Sequence, residues 1–295
     1  MLLNASGCLD ALTAPDVACS LDAFVTKTVT PEAREGNAPV RIAETDVGML
    51  NSIGLANPGI DVFLSDKLPR LADLGVPLWV SVGGFRARDY AELCARLDER
   101  PEVTAIELNV SCPNVEEAPE SVAELVSAAR AETTKTLYAK LSPAAADIGE
   151  SARAAEHAGA NGLSLVNTIR GLALEERTLR PRLGPEIGGL SGPALKPIAL
   201  AGVFACYRAT RLPIVGMGGV ATGRDALEMH AVGARAVALG TVLFSDPRAP
   251  MRIRAELNAE LAALGVVSVE DVVGLAHDAR VTHTKTLDFA SRVSP

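Results

Sequence analysis

Short apolar runs rich in β-branched residues recur along this chain, and nearly every one ends in a polar residue or a glycine where a helix-forming stretch takes over. The runs fall at residues 2–5, 23–28, 78–82, 105–111, 137–142, 162–167, 213–218 and 236–241. Between most of them the apolar positions shift to a helical period, which predicts helices over 89–97, 122–133, 148–157, 196–209, 224–232 and 252–264. Alternation of this kind predicts an α/β fold whose parallel strands close on themselves, a (β/α)8 TIM barrel. Chemistry in such a barrel collects at the rim formed by the C-terminal strand ends.

The run at 105–111 shows how the side chains should divide. Successive strand residues point to opposite faces, so Ile106, Leu108 and Val110 are expected to face the outer helices while Glu107 and Asn109 point into the barrel. Cys112 follows just past the strand end, at the rim. Two stretches interrupt the alternation, at 30–74 and 170–193, and both read as irregular, elaborated loops at that rim. Neither composition nor charge changes enough at them to mark a second domain, so residues 1–295 read as one domain.

A net charge of −8 with 3% aromatic residues disfavours a nucleic-acid groove with stacking platforms. There is no apolar run of the roughly 20 residues that cross a bilayer and no leader pattern at the start, which points to a cytoplasmic protein acting on small molecules. Cys8, Cys19, Cys94, Cys112 and Cys206 are scattered, so neither a disulfide framework nor a metal site is expected. Cys112 is singled out by its position between Asn109 and Asn114; the other four read as ordinary small hydrophobes.

Three groups carry chemistry. Gly216-Met217-Gly218-Gly219 and Leu239-Gly240-Thr241 end the last two strands, where glycine turns let backbone N–H groups approach a phosphate. Lys27 and Lys140 lie on inward-facing strand positions, where an ammonium needs an anionic or electron-rich partner; for Lys140 the competing reading is a barrel ion pair with Glu107. Asn51, Asn109, Asn114 and Asn167 offer amides suited to a flat heterocycle with alternating N–H and C=O groups, although singly each fits a turn or cap as well.

Taken in order, Ala5-Ser6-Gly7, Lys27-Thr28, Asn51-Ser52-Ile53-Gly54-Leu55, Asn109-Val110-Ser111-Cys112-Pro113-Asn114, Lys140-Leu141-Ser142-Pro143, Val166-Asn167-Thr168, Gly188-Gly189-Leu190-Ser191-Gly192-Pro193, Gly216-Met217-Gly218-Gly219 and Gly240-Thr241 closely resemble class 1 dihydroorotate dehydrogenase. That resemblance implies an FMN-dependent oxidation of dihydroorotate to orotate in pyrimidine biosynthesis. It implies Cys112 as the general base and Lys140 beside the flavin. Ser6, Lys27, Thr28, Asn109, Lys140, Val166, Gly192, Gly218, Gly219, Gly240 and Thr241 are implied as FMN contacts. Lys27, Asn51, Ile53, Gly54, Leu55, Asn109, Asn114, Asn167 and Thr168 are implied as substrate contacts. The motifs at 51–55, 167–168 and 188–193 resemble class 1B, which implies a homodimeric core and an FAD and iron-sulfur partner subunit that carries electrons to NAD. Three features depart from that pattern: a short loop at 115–119, Ser81 where the family often has Asn, and a start almost directly at the first strand. The fumarate-using class 1A, a related dihydropyrimidine dehydrogenase, a tRNA uridine reductase and a non-catalytic FMN scaffold are the competing readings.

Overall fold

The computed structural model describes residues 1–110 and 121–278. Eight parallel strands line the middle of the molecule: β1 (Leu2–Asn4), β2 (Phe24–Val25), β3 (Leu78–Val82), β4 (Val103–Asn109), β5 (Thr136–Lys140), β6 (Gly162–Leu165), β7 (Ile214–Met217) and β8 (Ala236–Leu239). They are hydrogen-bonded in the order β1-β8-β7-β6-β5-β4-β3-β2. The ring closes between β1 and β2 through a parallel bridge from Leu3 to Ala23. A side chain completes that seam: buried Asn4 donates from Nδ2 to the Val25 carbonyl at 2.7 Å and accepts from the Val25 N–H at 2.8 Å. One amide thus supplies the two bonds that a longer backbone ladder would have made.

Alternation along the strands sorts the core into two layers. Leu3, Val25, Trp79, Ala105, Val215, Met217, Ala236 and Ala238 pack inside the barrel, with Tyr138 against them. Trp79 and Tyr138 sit with ring centroids 4.4 Å apart. Gly162 makes room for them, because a Cβ there would lie 2.3 Å from the Tyr138 ring. Ile106, Leu108 and Val110 face outward as expected, packed with Leu93, Leu97 and Val126 of the surrounding helices. Those helices include Ala87–Asp98, Val122–Ala131, Ile148–His157, Lys196–Ala209, Gly223–Ala231 and Ala249–Leu264. Several begin on side-chain caps: Asp147 accepts from Gly149 and Glu150 N–H, and Thr222 and Asp225 form a reciprocal capping box.

The two stretches expected to be irregular are instead built structure. Ile42–Thr45, Gly48–Asn51, Gly188–Ser191 and Ile169–Gly171 form a four-stranded antiparallel sheet in that order, and residues 59–72 are continuously helical with a π turn at Phe63–Lys67. The sheet's central pairing joins Leu50 to Leu190 across the two stretches. It stands over the C-terminal strand ends, where Met49, Asn51, Gly189 and Ser191 reach the barrel mouth. No helix among the described residues is long and apolar enough to cross a membrane.

Candidate active site

A cavity of about 430 Å³ opens at the C-terminal strand ends, roofed on one side by the antiparallel sheet. That volume falls within the range of small-molecule sites. Every described residue named above as an expected FMN or substrate contact lines it. Ser6, Lys27, Thr28, Asn109, Lys140 and Val166 come from the strand ends; Gly218, Gly219, Gly240 and Thr241 from the turns after β7 and β8; Gly192 from the end of the antiparallel sheet. Asn51, Ile53, Gly54, Leu55, Asn167 and Thr168 close the other wall. Cys112, Asn114 and the short loop at 115–119 lie outside the described residues.

Local chemistry explains each wall. Gly218 and Gly219 stand at φ +119° and +72°, which favours glycine. A Cβ on Gly219 would fall 2.8 Å from the Lys196 backbone nitrogen and 2.9 Å from the Gly192 carbonyl oxygen, so this turn presents bare backbone. Behind it, Asp225 Oδ2 accepts from the Ala221 and Thr222 N–H groups, both at 2.9 Å. Its Oδ1 takes the Lys196 ammonium at 2.6 Å, and Arg252 donates to the Ala221 carbonyl at 3.1 Å. Burial acts to raise the Asp225 carboxyl, but Lys196 and the loop N–H groups outweigh it and hold the acid below the usual carboxylate range. Across the cavity, the Thr241 hydroxyl donates to Ser191 Oγ at 2.8 Å and ties the eighth-strand turn to the roof.

The opposite wall is a relay of hydroxyls and amides. Ser6 Oγ donates to the Thr26 carbonyl at 2.8 Å and lies 3.3 Å from the Thr28 hydroxyl, which lies 3.1 Å from Ser81 Oγ. Ser81 is fully buried behind Thr28, so it supports the wall from behind. Asn167 donates from Nδ2 to Asn109 Oδ1 at 3.2 Å and accepts from the Thr168 N–H at 2.8 Å, so both ends of its amide are held. The Asn51 amide donates to the Gly189 carbonyl at 3.3 Å. Leu55, following Gly54, stands at φ +57°, a strained conformation for a non-glycine residue of the kind that collects in ligand loops.

Lys140 and Glu107 meet inside the barrel, Nζ to Oε1 at 3.6 Å, with side chains only 7% and 2% exposed. The ion pair weighed from the sequence therefore exists, and Lys140 lines the cavity as well. Lys27 lies two residues beyond β2 rather than within a strand, its stem running over Gly7. Sequence reasoning missed Cys8. Cys94 and Cys206 are core residues, whose thiols burial pushes up to about 12, and Cys19 is exposed, but Cys8 lines the cavity. Desolvation raises the Cys8 thiol above its ordinary value, partly offset by the charges of Lys140 and Lys27. It stands four residues past the end of β1, without the flanking amides that singled out Cys112.

The family model for dihydroorotate dehydrogenase matches residues 1–261. A Solibacter usitatus protein provisionally named dihydroorotate dehydrogenase A (fumarate) is 46% identical over 86% of each chain. Relatives from Desulforudis audaxviator (44% identity, 87% of this chain and 86% of that one) and Latilactobacillus sakei (47%, 82% of each) are named dihydroorotate dehydrogenase B (NAD(+)), catalytic subunit. The solved structure of DHODH from Eimeria tenella in complex with ferulenol superposes with a TM-score of 0.79 at 25% identity, covering 94% of this chain and 85% of that one. With the barrel, the roofing sheet and the motif residues gathered on one cavity, these matches identify the chain as a member of the dihydroorotate dehydrogenase family.

Proposed function

We propose that this protein oxidises dihydroorotate to orotate in pyrimidine biosynthesis, with FMN as its cofactor and electrons passed to NAD through a partner subunit. The observation that carries the reading is a single cavity joining bare-backbone turns after β7 and β8 to a buried ammonium and a set of held amides. The residues fit the cofactor. Gly218, Gly219, Gly240 and Thr241 would take the single phosphate, since glycine turns after the last two strands of a barrel suit a terminal phosphate. Ser6, Thr28, Asn109, Val166 and Gly192 would border the ring and its chain, and Lys140 would stand at the ring's N1/C2=O edge. FMN, when bound, supplies the hydride acceptor.

The chain's own residues would do the rest. Lys27 and the backbone of Ile53, Gly54 and Leu55 would hold the substrate carboxylate, while Asn51, Asn109, Asn114, Asn167 and Thr168 would bond the pyrimidine ring. The Asn167–Asn109 bond fixes two of those amides before substrate arrives, which lowers the cost of ordering them on binding. Cys112 would take the proton from the carbon next to the one that loses hydride. A thiol with an ordinary value near 8.5 makes that step faster as pH rises. Cys112→Ala should therefore keep its flavin and lose at least about 100-fold in dihydroorotate-driven reduction near neutral pH. Near-wild-type reduction by that variant would remove Cys112 from the mechanism.

The match to a relative carrying the fumarate-type name favours a second reading of the electron acceptor. Mixing dihydroorotate-reduced protein with NAD and then with fumarate separates the two. The proposal expects neither to re-oxidise the isolated chain quickly; rapid re-oxidation by fumarate assigns the acceptor to the second reading.

A further inference from the structure

The Lys140–Glu107 pair is unusually loose for two charges buried together. At 3.6 Å the contact is well beyond the roughly 2.7–2.9 Å of a charge-assisted hydrogen bond. Glu107 Oε1 accepts no hydrogen bond among the described residues, and neither does the hydroxyl of Ser164, which lies opposite Lys140 in the strand register. Glu107 therefore compensates the charge of Lys140 without occupying its N–H donors. Among the described residues, Lys27 acts together with Lys140 and Glu107 on the Cys8 thiol, and Tyr138 lies two residues before Lys140 on the same strand. Glu107 is the acidic group among them.

We propose that Glu107 is a positioning residue for the reaction: it is the counter-charge that keeps the Lys140 ammonium stable in the barrel and sets how strongly that ammonium attracts negative charge arising on a bound ring. This rests on the assignment of a flavin to the cavity. An ammonium buried without a counter-ion is costly, and one hydrogen-bonded tightly to Glu107 would have at least one of its three donors committed away from the cavity. A loose pair meets both demands. Removing the carboxylate charge should strengthen the field of Lys140 toward the ring, and removing Lys140 takes away the ammonium through which Glu107 acts.

Sulfite tests this, because its sulfur lone pair forms a bond to the flavin ring nitrogen and the negative charge so gained rests on the ring, with loss of visible absorbance. The first measurement is flavin content of the purified protein: a protein that binds no flavin overturns the functional reading and this inference with it. In flavin-bearing protein, Glu107→Gln should lower the sulfite dissociation constant by at least about tenfold, the effect of one unit charge about 12 Å away at an effective dielectric near 20. Glu107→Asp, which keeps the charge, should stay within about threefold of wild type. Lys140→Met and the double variant Glu107→Gln/Lys140→Met should bind sulfite equally, which also provides the test if Glu107→Gln alone does not fold. On flavin-free protein, Glu107→Gln should lower the thermal midpoint and the added Lys140→Met should restore it. Unchanged or weaker sulfite binding by Glu107→Gln, or a Glu107 effect that persists without Lys140, overturns the inference while leaving the flavin assignment standing.

Discussion

Asp225 does not touch the cavity, yet its removal should loosen the turn proposed to hold phosphate. Its carboxylate accepts two loop N–H groups at 2.9 Å and the Lys196 ammonium at 2.6 Å, and Ala221, one of the residues so held, lines the cavity. Hydrogen bonds to a charged group contribute about 1.5–3 kcal/mol when buried. Ala221 is half-buried and Thr222 exposed, so water can replace part of each bond, and about 1 kcal/mol apiece is the better figure. Lys196 keeps Glu228 at 3.0 Å and is itself partly exposed, which limits its loss to a further 1 kcal/mol or so. Asp225→Ala should thus cost about 2–4 kcal/mol in urea unfolding of the flavin-free protein. Asp225→Asn can keep an oxygen toward the two N–H groups but then turns its amide donor against Lys196, so it should cost about 1–2 kcal/mol. Because the folded acid is held below its usual range, the stability it contributes is present above about pH 4 and is lost as pH falls through the folded value. FMN affinity should fall at least tenfold in Asp225→Ala. A loss under about 1 kcal/mol together with unchanged FMN affinity would refute the reasoning.

Two further outcomes follow from the same geometry. Gly219→Ala must place a Cβ at φ +72° against the Lys196 and Gly192 backbone, so it should abolish FMN retention on purification, measured by flavin fluorescence after denaturation; a yellow variant would contradict the cradle. Burial holds the His230 imidazole below its ordinary value, with the Ala234 carbonyl 2.7 Å from Nδ1 offsetting only part, so its contribution to stability is complete above about pH 6.5 and is lost as pH falls through the folded value. His230→Gln should flatten the acid limb of the urea midpoint, and a variant as pH-sensitive as wild type would discount His230.

What the sequence made legible was local. The strands lie within three residues of their expected bounds, because a short apolar run ended by glycine or a polar residue marks a barrel strand without reference to the rest of the chain. The helices Ile148–His157 and Lys196–Ala209 fall where the period placed them. The inward pair Glu107 and Asn109 followed from alternation alone. What escaped was non-local. The roofing sheet joins Leu50 to Leu190, and strands of three or four residues, three of them containing glycine, leave no period of their own to read. Cys8 escaped for a different reason: it lacks flanking amides of the kind that Asn109 and Asn114 give Cys112, so it read as an ordinary small hydrophobe. The Asp225 clamp was half visible, as the acidic third position of a capping box after Thr222, but its hold on the cavity turn needed the fold.

The central claim, that this cavity holds FMN and oxidises dihydroorotate, is tested most directly by adding dihydroorotate to the purified protein without oxygen while its visible spectrum is recorded. The account predicts bleaching of a bound flavin near 450 nm, release of FMN rather than FAD on denaturation, formation of orotate in equal amount to the flavin reduced, and no bleaching by dihydrouracil, which lacks the carboxylate assigned to Lys27. A flavin that dihydrouracil reduces as well as dihydroorotate, or that dihydroorotate leaves oxidised, would contradict it.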